Sequence, residues 1–109
     1  MTDTDLIRDA LSALCRRAGV PSDDDTDAAG RLVAGVIARD RVTGERSNPD
    51  GCALANWLRA ATGVERLLVS GERAILPQGY ELPLWVELPL AYRRATMTFE
   101  NAAIGRGAL

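Results

Sequence analysis

The sequence has no histidine, no lysine, only two cysteines and no apolar run long enough to cross a membrane. Without histidine, the chain lacks the side chain that most often serves as a general base or a metal ligand near neutral pH. A membrane-spanning helix needs about 20 consecutive apolar residues. Asp3 and Asp5 stand where a secretory signal carries positive charge. These absences exclude histidine-based zinc sites and predict a cytoplasmic protein with no membrane segment.

The two cysteines, Cys15 and Cys52, are far apart and form no CxxC motif. A four-cysteine zinc site and a dithiol redox motif are therefore excluded. Cys15 falls on the apolar face of the first predicted helix, where a thiol is usually a small buried hydrophobe. Cys52 falls in the first turn of the third predicted helix, where free amide groups lower a thiol pKa. Whether Cys52 is reactive stays open, because no histidine is present to activate it.

The basic residues are all arginine. The 13 arginines are scattered among 15 acidic residues, which gives a formal net charge of −2. A nucleic-acid-binding domain usually carries a basic face or a raised isoelectric point, whereas this sequence has a pI near 5.1. The charge balance argues against a broad surface for binding nucleic acid. Only a local cluster of arginines could bind it.

The length of 109 residues and the apolar fraction of 47% predict a single domain over residues 1–109. Apolar residues three and four positions apart predict helices at 4–18, about 25–41 and 48–63. Gly30 and Gly35 weaken the second of these helices and allow another backbone to approach it closely.

The second half of the chain predicts strands followed by a helix. Branched apolar segments on both sides of Ser70-Gly71-Glu72 predict a β-hairpin at about 64–77. Alternating apolar residues at 84–88 predict a short third strand at a sheet edge, since the prolines nearby are incompatible with a central strand. Residues 89–103 favour a helix, with a strand as the alternative because threonines alternate there. The sequence therefore predicts an α+β fold with three N-terminal helices, a hairpin and a C-terminal helix.

The acidic run at 22–27 resembles a calcium loop only superficially. A helix-loop-helix calcium site requires a closing bidentate glutamate, and the corresponding position is Ala34. The run is better explained as the N-terminal cap of the second helix.

No catalytic motif can be assembled from the sequence. Ser70 follows a predicted strand, but its neighbours do not form the Gly-x-Ser-x-Gly turn of hydrolases. Glycine-rich phosphate loops are also absent from the sequence. We therefore predict a non-enzymatic protein with no cofactor and no metal.

The order of three helices, a hairpin and a further helix resembles that of winged-helix DNA-binding domains. The resemblance implies that the 50–62 helix enters the major groove and that the 64–77 hairpin forms the wing. The side chains that could then contact bases or phosphates are Asn56, Arg59, Arg66 and Arg73. This reading is the alternative hypothesis, because the helix offers few base-reading side chains.

The leading hypothesis is a small protein–protein interaction or regulatory module that binds a partner protein or forms a homodimer. Irregular backbone is expected around the prolines of residues 77–90, and aromatic residues on such segments often anchor interfaces. The predicted interface residues are Tyr80, Leu82, Leu84 and Trp85.

Overall fold

The first helix, α1 (Asp3–Ala18), begins at a capping box. The Thr2 hydroxyl accepts a hydrogen bond from the Asp5 amide at 3.2 Å, and the Asp5 carboxylate accepts one from the Thr2 amide at 3.3 Å. Gly19 ends the helix with φ of 72°, a conformation that glycine adopts without strain. The structure is a computed structural model that describes residues 2–42, 52–70 and 72–101, with side chains through residue 95.

The second helix, α2 (Asp27–Arg39), begins at Thr26. The Thr26 side chain accepts a hydrogen bond from the Ala29 amide at 3.2 Å and donates one to Asp24 at 2.7 Å. The acidic run therefore leads into a helix cap, as the sequence predicts.

The third helix, α3 (Ala53–Thr62), is shorter than predicted at its N-terminus. Cys52 has an extended backbone and is the N-cap, and its sulfur accepts a hydrogen bond from the Ala55 amide at 3.4 Å. The placement of Cys52 inside the first turn is therefore wrong. Residues 48–51 of the predicted helix lie outside the described residues. Gly63 ends the helix in the left-handed conformation, with φ of 74°.

Three antiparallel strands follow, in the spatial order β1-β2-β3. They are β1 (Leu68–Val69), β2 (Arg73–Gln78) and β3 (Glu81–Glu87). The predicted hairpin is confirmed, although its first strand has only two residues. The third strand is longer than the predicted 84–88 segment and continues through Pro83, which an edge strand tolerates.

The C-terminal segment forms a helix, α4 (Leu90–Asn101), and not the alternative strand. Tyr92 on this helix is fully buried, and its hydroxyl donates to the Leu54 carbonyl oxygen at 2.8 Å. Burial raises the pKa of the Tyr92 phenol well above its usual range. Tyr92 therefore joins α4 to the start of α3 with its only polar atom satisfied.

One cluster of apolar side chains from all four helices and the sheet forms the core. The most extensive helix pair is α2 against α4. At Gly30 the two backbones are so close that an added Cβ atom would lie 2.7 Å from the Arg94 carbonyl carbon. The close approach that a glycine allows occurs at Gly30 but not at Gly35, where the same atom would meet nothing within 4 Å.

A polar cluster around Asp40 connects three helices. The Asp40 carboxylate accepts two hydrogen bonds from the Arg17 guanidinium, at 2.9 and 2.8 Å, and one from the Trp57 indole at 2.8 Å. The bonds from Arg17, followed by that from Trp57, lower the pKa of Asp40 to about 2. Asp40 therefore links the end of α1, the end of α2 and the buried face of α3.

Candidate functional site

Four large apolar side chains are exposed on the hairpin formed by β2 and β3. Tyr80 in its turn is 110% exposed, Leu82 is 89%, Leu84 is 49% and Trp85 is 48% exposed. We call these four residues the hairpin surface. They do not share one face, because Leu84 lies on the same side of the sheet as the buried Leu76 and Trp85 lies on the opposite side. Large apolar side chains gathered on one exposed element are typical of binding surfaces, whereas single ones are common anywhere.

The hairpin surface is exposed because the sheet extends beyond the helices that cover it. Leu76 on β2 pairs with Leu84 on β3, but Leu76 is 2% exposed and Leu84 is 49% exposed. Val86, two residues further along β3, is buried. Only the C-terminal part of β3 therefore packs against the core, and the turn end of the hairpin projects into solvent.

Trp85 lies on the outer face of the sheet, away from the core. It is directly opposite Ile75 on β2, which in turn pairs with Leu68 on β1. The Arg73 guanidinium stacks over the indole ring at 4.4 Å from its centre. A cation over an aromatic face stabilises the ring's position by about 0.5–1 kcal/mol at an exposed site. The stack therefore favours this orientation of Trp85, about half of which stays accessible.

Charged residues beside this tryptophan form ion pairs with one another. The Arg73 side chain lies 3.3 Å from the Glu87 carboxylate, which also accepts a hydrogen bond from Arg93 at 2.7 Å. The sequence contains no local signal for this arrangement, because it depends on the register that places Arg73 opposite Glu87.

A cleft of about 480 Å³ separates the C-terminal part of β3 from α1. Arg8, Leu11 and Ser12 line its helix side, and residues 85–89 line its strand side. Sequence reasoning missed this cleft, since neither wall has a recognisable motif.

Three of the four residues that were predicted to contact nucleic acid make contacts within the protein itself. The Arg59 guanidinium donates to the Asn56 side chain at 2.8 Å and also to the Leu67 carbonyl oxygen. Arg66 is exposed, and Arg73 stacks on the hairpin as described above. The structure thus supplies no observation that favours DNA binding over protein binding.

Arg59 and Arg66 differ in a way that stability measurements can detect. We expect Arg59→Ala to lower the free energy of unfolding by about 1–2 kcal/mol, because the Leu67 carbonyl oxygen and Asn56 lose a charged donor. Arg66→Ala is expected to change it by less than about 0.5 kcal/mol, as at an ordinary surface site. Urea unfolding of both variants measures the difference, and equal losses would contradict the bracing role of Arg59.

Potential metal ligands are spread over the described part of the chain. Within these residues, no three or more potential metal ligands cluster together. Burial raises the pKa of the Cys15 thiol, and Cys15 and Cys52 are not joined by a disulfide bond. The described helices include none with the length and apolar content that a membrane crossing requires.

Comparison with family models, with curated proteins and with solved structures gave no match to this chain.

Proposed function

We propose that the protein is a non-enzymatic, cytoplasmic protein–protein interaction or regulatory module, and that the hairpin surface is where it binds a partner protein or a second copy of itself. The observation that carries this proposal is the exposure of Tyr80, Leu82, Leu84 and Trp85 on one hairpin. Exposing large apolar side chains to water is unfavourable by about 25 cal/mol for each Å². Covering them by a protein surface recovers that free energy.

The chemistry of the hairpin surface also supports a protein partner. Aromatic residues and arginine are enriched where interfaces have their strongest contacts. Trp85 and Arg73 form such a pair, already ordered by stacking at 4.4 Å. An ordered side chain loses less conformational entropy on binding, so the stack is suited to anchor a complex.

Site-specific photo-crosslinking in cells tests the proposal. A benzoylphenylalanine replaces Leu82 in one variant and Leu32 in a control, since Leu32 is 51% exposed but lies on α2, away from the hairpin. We expect irradiation to give a defined product of higher mass from position 82 and none from position 32. The proposal fails if position 82 gives no product or if both positions give the same products.

A further inference from the structure

Four arginines lie where the C-terminal ends of α1 and α2 meet. The Arg17 guanidinium donates two hydrogen bonds to the Asp40 carboxylate, at 2.9 and 2.8 Å, and so joins the two helix ends. Arg16 is next to Arg17 in the chain, and Arg39 and Arg41 flank Asp40. All four arginines are exposed. We call them the arginine patch.

The arginine patch carries more positive charge than the helix ends neutralise. Together with Asp40, the four arginines have a formal charge of +3. Because the whole chain has a formal charge of −2, its other residues together carry −5. A helix C-terminus contributes about half a negative unit charge, so two helix ends offset about one of these positive charges. About two positive charges are left over for a ligand.

Three of these arginines have no acidic partner in the described part of the chain. Arg17 is paired with Asp40 at 2.8 Å. Arg16, Arg39 and Arg41 form no ion pair with any described residue. Their guanidinium groups therefore keep their donors for an external acceptor.

Arg41 has a backbone conformation that favours glycine. Its φ is 58°, and among the described residues it alone, other than glycine, has a positive φ. The helices α1 and α3 end at Gly19 and Gly63, with φ of 72° and 74°. An arginine is strained in this conformation because its Cβ atom crowds a backbone carbonyl oxygen. Such strain is typical of functional sites, since it does not serve the stability of the fold.

We propose that the arginine patch is a second interaction surface, which binds an acidic segment of a partner protein through its aspartate or glutamate carboxylates. The planar guanidinium group matches a carboxylate with two parallel hydrogen bonds. The Arg17 and Asp40 pair shows this geometry within the chain itself. This surface is separate from the hairpin surface and does not require that the hairpin bind anything.

The surroundings of the arginine patch favour an acidic protein segment over nucleic acid. A duplex is held by many phosphate contacts, whereas the residues outside the patch carry −5 and repel a long polyanion. Single strands bind by stacking their bases on exposed aromatic rings. Among the described residues, the aromatic side chain beside the patch is Trp57, which is 6% exposed and donates to Asp40. A short acidic segment requires neither feature.

Amide NMR titration of the full chain with a peptide of ten glutamates tests the proposal. We expect the largest shifts at Arg16, Arg39 and Arg41. The double variant Arg39→Ala with Arg41→Ala is expected to raise the dissociation constant about tenfold. The control is Arg31→Ala with Arg66→Ala, which removes the same charge from exposed positions outside the patch. It is expected to raise the dissociation constant less than about twofold.

The single variant Arg41→Gly separates binding from a role in stability. Glycine adopts the positive φ without strain, so we expect Tm to rise by about 4 °C. The same variant is expected to raise the dissociation constant for the peptide about threefold, because one guanidinium group is lost. A side chain that served only the fold would instead give a lower Tm with unchanged binding.

Three results overturn the proposal: no binding to the unmodified chain at millimolar peptide, equal dissociation constants for the two double variants, or a lower Tm of Arg41→Gly with unchanged binding. A thymidine oligonucleotide of similar charge is titrated alongside. Tighter binding of this oligonucleotide than of the peptide at the arginine patch would also overturn it, since the ligand would then be nucleic acid. Each result leaves the hairpin surface to be decided separately, by the crosslink from position 82.

Discussion

Gly30→Ala is expected to lower the free energy of unfolding by about 2–3 kcal/mol, which corresponds to a fall of roughly 10–20 °C in Tm for a domain of this size. The added methyl group would lie 2.7 Å from the carbonyl carbon and the Cβ atom of Arg94 and 2.8 Å from its carbonyl oxygen. Because two of these atoms belong to the backbone of α4, a side-chain rotation cannot relieve the overlap. The two helices must move apart, which disturbs their extensive contact.

Gly35→Ala is the matched control on the same helix. An added Cβ atom there meets nothing within 4 Å, so only the intrinsic helix preference of alanine remains, worth about 1 kcal/mol. The two alanine substitutions are therefore expected to change Tm in opposite directions. Calorimetry of both variants measures this, and a stabilised Gly30→Ala protein would mean that α2 and α4 are not in such close contact.

Asp40→Ala is expected to lower the free energy of unfolding by about 2 kcal/mol. The substitution leaves the Trp57 indole N–H and the Arg17 guanidinium without their shared acceptor. Asp9→Ala, an exposed acid on α1, is the control and is expected to have an effect below about 0.5 kcal/mol. Urea unfolding followed by tryptophan fluorescence compares the two.

The Asp40 cluster also predicts the sign of a pH effect. The folded pKa of Asp40 is about 2, below the pKa of 3.8 that is usual for an aspartate side chain. The carboxylate therefore contributes its full stabilisation above about pH 3.8 and loses it as the pH falls towards 2. In acid, the stability difference between the unmodified chain and Asp40→Ala is expected to shrink. A difference that stays constant from pH 5 to pH 2, or grows, would contradict this role.

The helices were predictable because their signals are local. Thr2 with Asp5 forms a capping box, and Gly19 and Gly63 supply the left-handed residues that end α1 and α3. Such caps are encoded within three or four residues, so a sequence pattern is sufficient to find them. The start of α3 was misplaced because cysteine is an uncommon N-cap residue, so the residue type of Cys52 did not indicate that the helix begins there.

Features that depend on distant residues were not predictable. Asp40 was placed at the end of the second helix, but nothing nearby in sequence indicates that it joins Arg17 and Trp57. The length of β3 likewise depends on its pairing with β2, which extends the strand through Pro83 to Glu81. Pairing energy overrides the low local preference of proline for strands when its missing amide is at an edge.

The candidate site was predictable in its residues but not in its geometry. Tyr80, Leu82, Leu84 and Trp85 were chosen because aromatic and aliphatic residues cluster near prolines. The structure adds that the hairpin projects beyond the helices and that Arg73 stacks on Trp85. Arg73 was instead grouped with the possible DNA contacts, since its partner is fixed only by the strand register.

Fluorine NMR of the chain labelled with 5-fluorotryptophan tests most directly whether the hairpin surface becomes covered by protein. The two tryptophans give one signal each, and the buried Trp57, which is 6% exposed, is an internal control for Trp85. The account predicts that the Trp85 signal shifts or broadens as concentration rises or when cell extract is added, whereas the Trp57 signal stays in place. A Trp85 signal that remains unchanged in both conditions would contradict the account.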